Sequence, residues 1–255
     1  MRTHNIGMLH MQHVIVYAHP NPKSFSASIR DHIHDLSRDL GNSVIIRDLY
    51  AMGFNPVLSS RDFEAIQKGL TPKDIKAEQD IISKADLITV IFPLWWTGYP
   101  AILKGWIDRV LQHGFAFKYS RDNGATPLLT DKKIQLITTM GASVDEYESN
   151  GLMDAMAMTL GDNVWSFCGC IDAGMIVLGE VPGMSDDDRI SVLTEIEDTL
   201  VLAMATDNKS KSRPKPSARK SQAARTKSTR KPTVKPKAKS KVKTGPQAPR
   251  AARKK

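Results

Sequence analysis

The most constraining stretch of the chain runs from Leu87 to His113, LITVIFPLWWTGYPAILKGWIDRVLQH. Leu87, Ile88, Val90, Ile91 and Phe92 make an apolar run, rich in β-branched residues and too short for a helix to be preferred, so it reads as a buried strand. Pro93 ends that strand by removing a backbone donor. The loop Leu94–Tyr99 carries three large aromatics, Trp95, Trp96 and Tyr99. Pro100 sits where a first helical turn tolerates it. From there Ile102, Leu103, Trp106, Ile107, Val110 and Leu111 recur at three- and four-residue spacing, which predicts an amphipathic helix. A strand whose carboxyl end passes through an aromatic loop into a helix is where open α/β sheets seat a flat ligand. Judged alone, the two tryptophans fit core packing equally well.

The same alternation extends along the chain. His13–Ala18 (HVIVYA) reads as a first strand, and Ser24 or Ser26 caps a helix through Ile29, Ile33 and Leu36 that Gly41 stops. Val44–Ile46 is a second strand, and a turn-rich loop runs from Asp48 to Ser59. Thr71-Pro72 opens a helix into the strand at Leu87. Ile134–Thr139 is a fourth strand ending in Met140-Gly141-Ala142, Met153–Phe167 reads as helix, and Met175–Leu178 is a fifth strand. Ser185 caps a final helix to about Ala205, with an acidic first turn suited to the helix dipole. Strand–helix alternation predicts an α/β fold: a flavodoxin-like, doubly wound, five-stranded parallel sheet with helices on both faces. No GxGxxG follows the first strand, which argues against a Rossmann dinucleotide domain.

Charge divides the chain differently. Of its 36 Lys and Arg and 27 Asp and Glu, 19 and one respectively fall in residues 206–255. The remaining 17 and 26 leave the first 205 residues at −9 and the tail at +18. A Lys/Arg/Pro/Ala-rich segment without aromatics cannot bury enough apolar surface to offset its ordering entropy, so a disordered basic tail is expected over 206–255. Such a polycation binds nucleic acid without sequence preference; anionic lipid and the acidic body itself are the rival contacts. A disordered N-terminal extension is expected over 1–12, with Met8 or Met11 as alternative starts, and the domain proper over 13–205. No apolar run is long enough to span a bilayer. Cys168 and Cys170, in FCGC, read as buried thiols of a reducing cytoplasm rather than a disulfide or zinc pair.

Three strand-end loops should meet at one sheet edge. The first, His19–Ser26, offers an imidazole, two hydroxyls and the N–H groups of a helix start, which suit a phosphate; the plain alternative is a helix cap beside a solvated histidine. The second is the aromatic loop. The third, Thr138-Thr139-Met140-Gly141, offers hydroxyls and a glycine that lets backbone approach a ligand. Together they suit a phosphorylated flat heterocycle, with flavin foremost. No metal site is expected: Met153, Met156 and Met158 lack accompanying His or Cys, His32 and His34 face apart on a helix, and Asp186–Asp188 begin a helix.

HPNPKSFS (19–26), LYAMGFNPVLS (49–59), DIKAEQ (74–79), ADLITVIFPLWWTGYPAILKGWIDRV (85–110), LITTMGA (136–142) and FCG (167–169) closely resemble the NAD(P)H dehydrogenase (quinone) family of flavodoxin-like flavin-dependent quinone reductases. The resemblance implies hydride transfer from NAD(P)H to FAD or FMN and two-electron reduction of a quinone in a cytoplasmic homodimer. It further implies that His19, Ser24, Phe25 and Ser26 hold the flavin phosphate. Pro93, Leu94, Trp95, Trp96 and Thr97 would line the isoalloxazine, and Thr138, Thr139 and Gly141 would meet its pyrimidine side. Tyr147 matches a family tyrosine that stabilises charge on the reduced flavin, but Gly151–Asp154 lacks the histidine that follows it in that family. The segment Asp62–Leu70 is short where larger relatives hold an FAD adenine. Some relatives are ancillary subunits of potassium efflux systems, which is the alternative to an enzyme.

Overall fold

The computed structural model describes residues 10–205; the expected basic tail and most of the expected N-terminal extension lie outside the described residues. In chain order the elements are β1 (Gln12–Tyr17), α1 (Phe25–Asp39), β2 (Ser43–Asp48), α2 (Ser60–Gln67), α3 (Lys73–Lys84), β3 (Leu87–Pro93) and α4 (Ala101–Val110). There follow β4 (Phe117–Ser120), β5 (Gly124–Pro127), β6 (Lys133–Thr139), α5 (Val144–Ser149), α6 (Leu152–Met156), a π-helix over Ala157–Ser166, β7 (Ile171–Leu178) and α7 (Asp186–Ala205). Five strands form one sheet in the order β2-β1-β3-β6-β7, every pairing parallel. The expected doubly wound fold is present. The antiparallel hairpin β4–β5, the short helices α2 and α5, and the π-helical stretch within the expected 153–167 helix are additions. β1 opens at Gln12, one residue inside the expected extension.

Period-two alternation along the strands divides the core. Val14, Val16 and Ala18 of β1 point to the face covered by α3, α4 and the π-helix, where Ile75, Trp106 and Trp165 pack. Ile15 and Tyr17 point to the opposite face, beneath Ile29 and Ile33 of α1 and Leu200 of α7. Burial on both faces is why β1 and β3 read as near-continuous apolar runs.

The loop after β2 is held against α4 by a backbone approach that only glycine permits. A Cβ on Gly105 would lie 2.1 Å from the Pro56 carbonyl oxygen. One turn on, the buried Arg109 guanidinium donates to Asp62 (2.9 Å), Asp74 (2.8 Å) and the Asn55 carbonyl (2.9 Å). Asp62 also closes a capping box with Ser59 at the start of α2. Burial would raise the Asp62 carboxyl's pKa, but the Arg109 and Ser59 hydrogen bonds prevail and hold it low.

A polar row crosses the sheet beneath α1. His13 is fully buried, with Nδ1 at 3.0 Å from Ser37 Oγ and Nε2 at 2.9 Å from Thr89 Oγ1. Two hydroxyls complement a neutral imidazole, which has one donor and one acceptor. Burial, with a smaller contribution from His34, lowers the His13 pKa from 6.5 to about 3. The unfolded chain therefore binds one more proton throughout that window. The stability from neutral His13 is complete above the unfolded pKa and lost as pH falls toward the folded one, about 2 kcal/mol by pH 5. His13→Asn should remove one proton from the pH dependence of urea unfolding between about pH 6 and pH 4. An unchanged slope in that variant would exclude His13 as the titrating group.

Candidate active site

The strand order reverses between β1 and β3, since the chain leaves β1 for β2 on one side and returns to β3 on the other. The carboxyl ends of β1 and β3 thus open the crevice where such sheets bind ligands. The edge loops enter it in turn.

After β1, the Ala18 N–H still donates to Ile91 O (3.0 Å), and the chain then leaves the sheet. Ser24 caps α1: its hydroxyl accepts the Ala27 N–H (3.2 Å) and lies 3.2 Å from Tyr17 Oη. Helix geometry leaves the N–H groups of Phe25 and Ser26 without intrahelical acceptors, at the end where the dipole favours an anion. The Phe25 ring is core, with the Arg189 guanidinium 5.4 Å from its centroid, so its amide is the group available to the crevice. The buried Ser26 hydroxyl turns to Thr139 Oγ1 at 2.9 Å. His19 is half-buried, and its Nδ1 accepts the Asn21 N–H (3.0 Å). Burial lowers the His19 pKa against the opposing effect of the Asn21 backbone. A neutral imidazole accepting through Nδ1 carries its hydrogen on Nε2.

After β3, the Leu94 N–H donates to Thr139 O (2.7 Å), carrying the ladder one step past Pro93. Trp95 and Gly98 then exchange both backbone hydrogen bonds, at 3.2 and 3.1 Å. The two residues enclosed, Trp96 (φ 51°) and Thr97 (φ 55°), are both left-handed. This is the conformation of a type I′ turn, which favours Asn-Gly; a β-branched residue there is an outlier. Each such residue costs on the order of 1–3 kcal/mol. The Trp96 side chain is fully exposed, and the Trp95 ring tilts against His19 with centroids 6.4 Å apart. Tyr99 has a structural role instead. Its hydroxyl donates to Leu160 O (2.6 Å) and accepts from Trp165 Nε1 (3.1 Å), and burial raises its pKa far above the ordinary value.

After β6, successive side chains part company. Thr139 faces α1 and Ser26, whereas Thr138 points to the other face, fully buried, with no protein partner for its hydroxyl. Pro93 is likewise buried at the end of β3. Gly141 is exposed, and a Cβ there would meet only Pro182 Cγ, at 3.9 Å, so the backbone beside it is uncovered. Tyr147 stands on α5, which Ser143 caps, and its Oη lies 3.4 Å from Thr97 Oγ1. Glu180, after β7, has φ 53°.

Among the described residues, all three non-glycine residues at positive φ, Trp96, Thr97 and Glu180, lie in these edge loops. The structure joins His19 to Trp95, Ser26 to Thr139 and Thr97 to Tyr147. The Ser26–Thr139 bridge spans 113 positions, and no local pattern announces it.

Comparison with known proteins agrees with this geometry. A profile of the flavodoxin-like fold matches residues 11–199. A Haemophilus influenzae protein named an uncharacterized NAD(P)H oxidoreductase is 40% identical over 185 residues, which cover 72% of this chain and 91% of that one. NAD(P)H dehydrogenase (quinone) 1 of Rattus norvegicus is 34% identical over 176 residues, covering 61% of this chain and 64% of the rat protein. The solved NAD(P)H:quinone oxidoreductase of Methanothermobacter marburgensis superposes with a TM-score of 0.67 at 27% identity, over 75% of this chain and 96% of that one. The matched residues take in the whole five-stranded sheet and the edge loops around its crevice, and the chain belongs to the flavodoxin-like fold family.

Proposed function

We propose that this protein is a flavin-dependent NAD(P)H:quinone oxidoreductase, with FMN or FAD held in the crevice at the carboxyl edge. The observation that carries the reading is the meeting there of a capped helix start with a strained aromatic turn. The donor set fits the cofactor. The Phe25 and Ser26 amides and the Ser24 hydroxyl suit a phosphate, the Trp95–Gly98 turn suits a flat ring, and the uncovered backbone at Gly141 leaves room beside it. The named relatives are NAD(P)H oxidoreductases or quinone reductases, which supports the same class.

A bound flavin would supply acceptance of a hydride from NAD(P)H and delivery of an electron pair to a quinone. The protein's part is orientation and electrostatics. His19, kept neutral by burial, offers an Nε2–H donor beside the phosphate donors. Leu94 N–H is already committed to Thr139 O, and the Trp95 and Gly98 amides close the turn, so the enclosed Trp96 and Thr97 amides are those that remain for the ligand. Ser26 and Thr139 lock the first and third loops together. Tyr147 is the group that would hold or move a proton, its hydroxyl standing next to Thr97.

The reading extends to the whole chain as residues 13–205 for catalysis, 1–12 as an extension and 206–255 as a polyanion-binding arm. Homodimerisation, which the resemblance implies, would give the exposed Trp96 a surface to meet. Among the described residues no helix is long and apolar enough to cross a membrane, and the two buried free thiols suit a reducing cytoplasm.

The purified protein should be yellow, with flavin absorbance, and should oxidise NADPH with menadione. Colourless protein that rejects both FMN and FAD would end the proposal. Because Trp96 buries nothing within the chain, Trp96→Ala should fold normally and weaken flavin binding by about 1 kcal/mol, roughly fivefold in Kd, as measured by fluorescence titration. The tail gives an independent prediction. Truncation before Thr206 should leave turnover intact while abolishing gel retardation of any DNA duplex. Retardation by the full chain should weaken linearly with the logarithm of salt concentration. A truncated body that still binds DNA would refute the arm.

A further inference from the structure

A β-branched residue at a left-handed position calls for a compensating role, and Thr97 is such a residue in a turn that asparagine or glycine would form without strain. Its hydroxyl meets Tyr147 Oη at 3.4 Å. Among the described residues no other side-chain hydrogen bond reaches that tyrosine hydroxyl. Tyr147 needs such a partner. It stands on α5, six residues long with none buried, and its ring is only partly packed against the core. A helix that short is marginal by itself, so packing alone leaves the tyrosine tip loosely placed. The turn offers the opposite, because two backbone hydrogen bonds between Trp95 and Gly98 close it. Two substituents on Cβ restrict χ1, which fixes the direction of the Thr97 hydroxyl.

We propose that Thr97 is a positioning residue: its hydroxyl holds the Tyr147 hydroxyl at the edge of the crevice, linking α5 to the aromatic turn. This rests on the oxidoreductase reading, in which Tyr147 handles the proton. It assigns Thr97 a task other than lining the flavin. The contact is long by hydroxyl standards, and polar contacts at catalytic sites commonly tighten when the site fills.

Two readouts separate this proposal from the reading beneath it. The first is unfolding of the cofactor-free protein in urea. If the contact exists, Thr97→Val and Tyr147→Phe are non-additive, and the double variant unfolds at the midpoint of the less stable single variant. Additive midpoints overturn the contact whatever the enzyme does. The second is steady-state kinetics of the holoprotein. Thr97→Val should lower kcat about fivefold, the size of one hydrogen bond. KM for NADPH and flavin content should hold, and Thr97→Ser should restore most of the rate. In the Tyr147→Phe background, Thr97→Val should have no further effect. A Thr97→Ser variant as slow as Thr97→Val, or an undiminished rate in Thr97→Val, overturns the positioning role. Non-additive unfolding with no NADPH oxidation by the unaltered protein overturns the oxidoreductase reading, and with it the positioning role, while the contact stands.

Discussion

The aromatic turn at the crevice depends on how β3 is held. The strand is buried throughout and bonded on both sides, to β1 through Leu87–Ile91 and to β6 through Leu87–Pro93. Because the β6 ladder continues to the Leu94 N–H, the backbone is fixed up to the residue before the turn. A left-handed pair such as Trp96-Thr97 persists only where its surroundings over-determine it. The closing bonds from Trp95 to Gly98, the ladder behind them and the Tyr99 anchor beyond them provide that. The strained pair is thus held at both ends by backbone hydrogen bonds, its own closing pair and the β6 ladder behind it. The loop after β1 is located differently, through the α1 cap and the Ser26–Thr139 bridge.

The inner strands β1, β3 and β6 were legible because a strand buried on both faces leaves an apolar run. The edge strands β2 and β7 are only partly buried and were read from the short runs Val44–Ile46 and Met175–Leu178. What escaped lacked such a signal. Helices α2 and α5 are short and offer few buried apolar positions, so periodicity has nothing to register. The capping box Ser59–Asp62 was the available cue for α2. The hairpin β4–β5 has exposed residues on both strands and therefore no alternation. The π-helix differs from an α-helix in hydrogen bonding, which composition does not record.

The site was partly legible for the same reasons. A serine before a helix and a glycine after a strand are local, and HPNPKSFS and LITTMGA could be read as they stand. Side-chain direction was not. Thr138 and Thr139 are adjacent in sequence, yet the pleat sends them to opposite faces, so that Thr139 meets Ser26 while Thr138 is enclosed. Tyr99 looks equivalent to Trp95 and Trp96 in sequence, but its hydroxyl belongs to the π-helix. The His13 row was hidden by the strand it interrupts, since one polar residue at the start of an apolar run reads as its boundary.

Charge is unevenly distributed around the crevice, with a consequence for what can approach. Residues 143–205, which include α5, α7 and the loop after β7, carry 13 acids against the single base Arg189. Residues 10–59, which include β1, α1 and β2, carry four acids and four bases. The acids of residues 143–205 are not confined to the β7 edge, because α7 packs against α1, with His32 at 2.9 Å from Glu197 and the Arg189 guanidinium over the Phe25 ring. An anion approaching the Phe25 and Ser26 amides is favoured by the positive end of the α1 dipole and by Arg189, against the acidic first turn of α7. The net charge of the whole chain, which the tail dominates, conceals this asymmetry. Arg189, the single base among those 13 acids, stands over Phe25, where it lessens their repulsion of an anion at the start of α1.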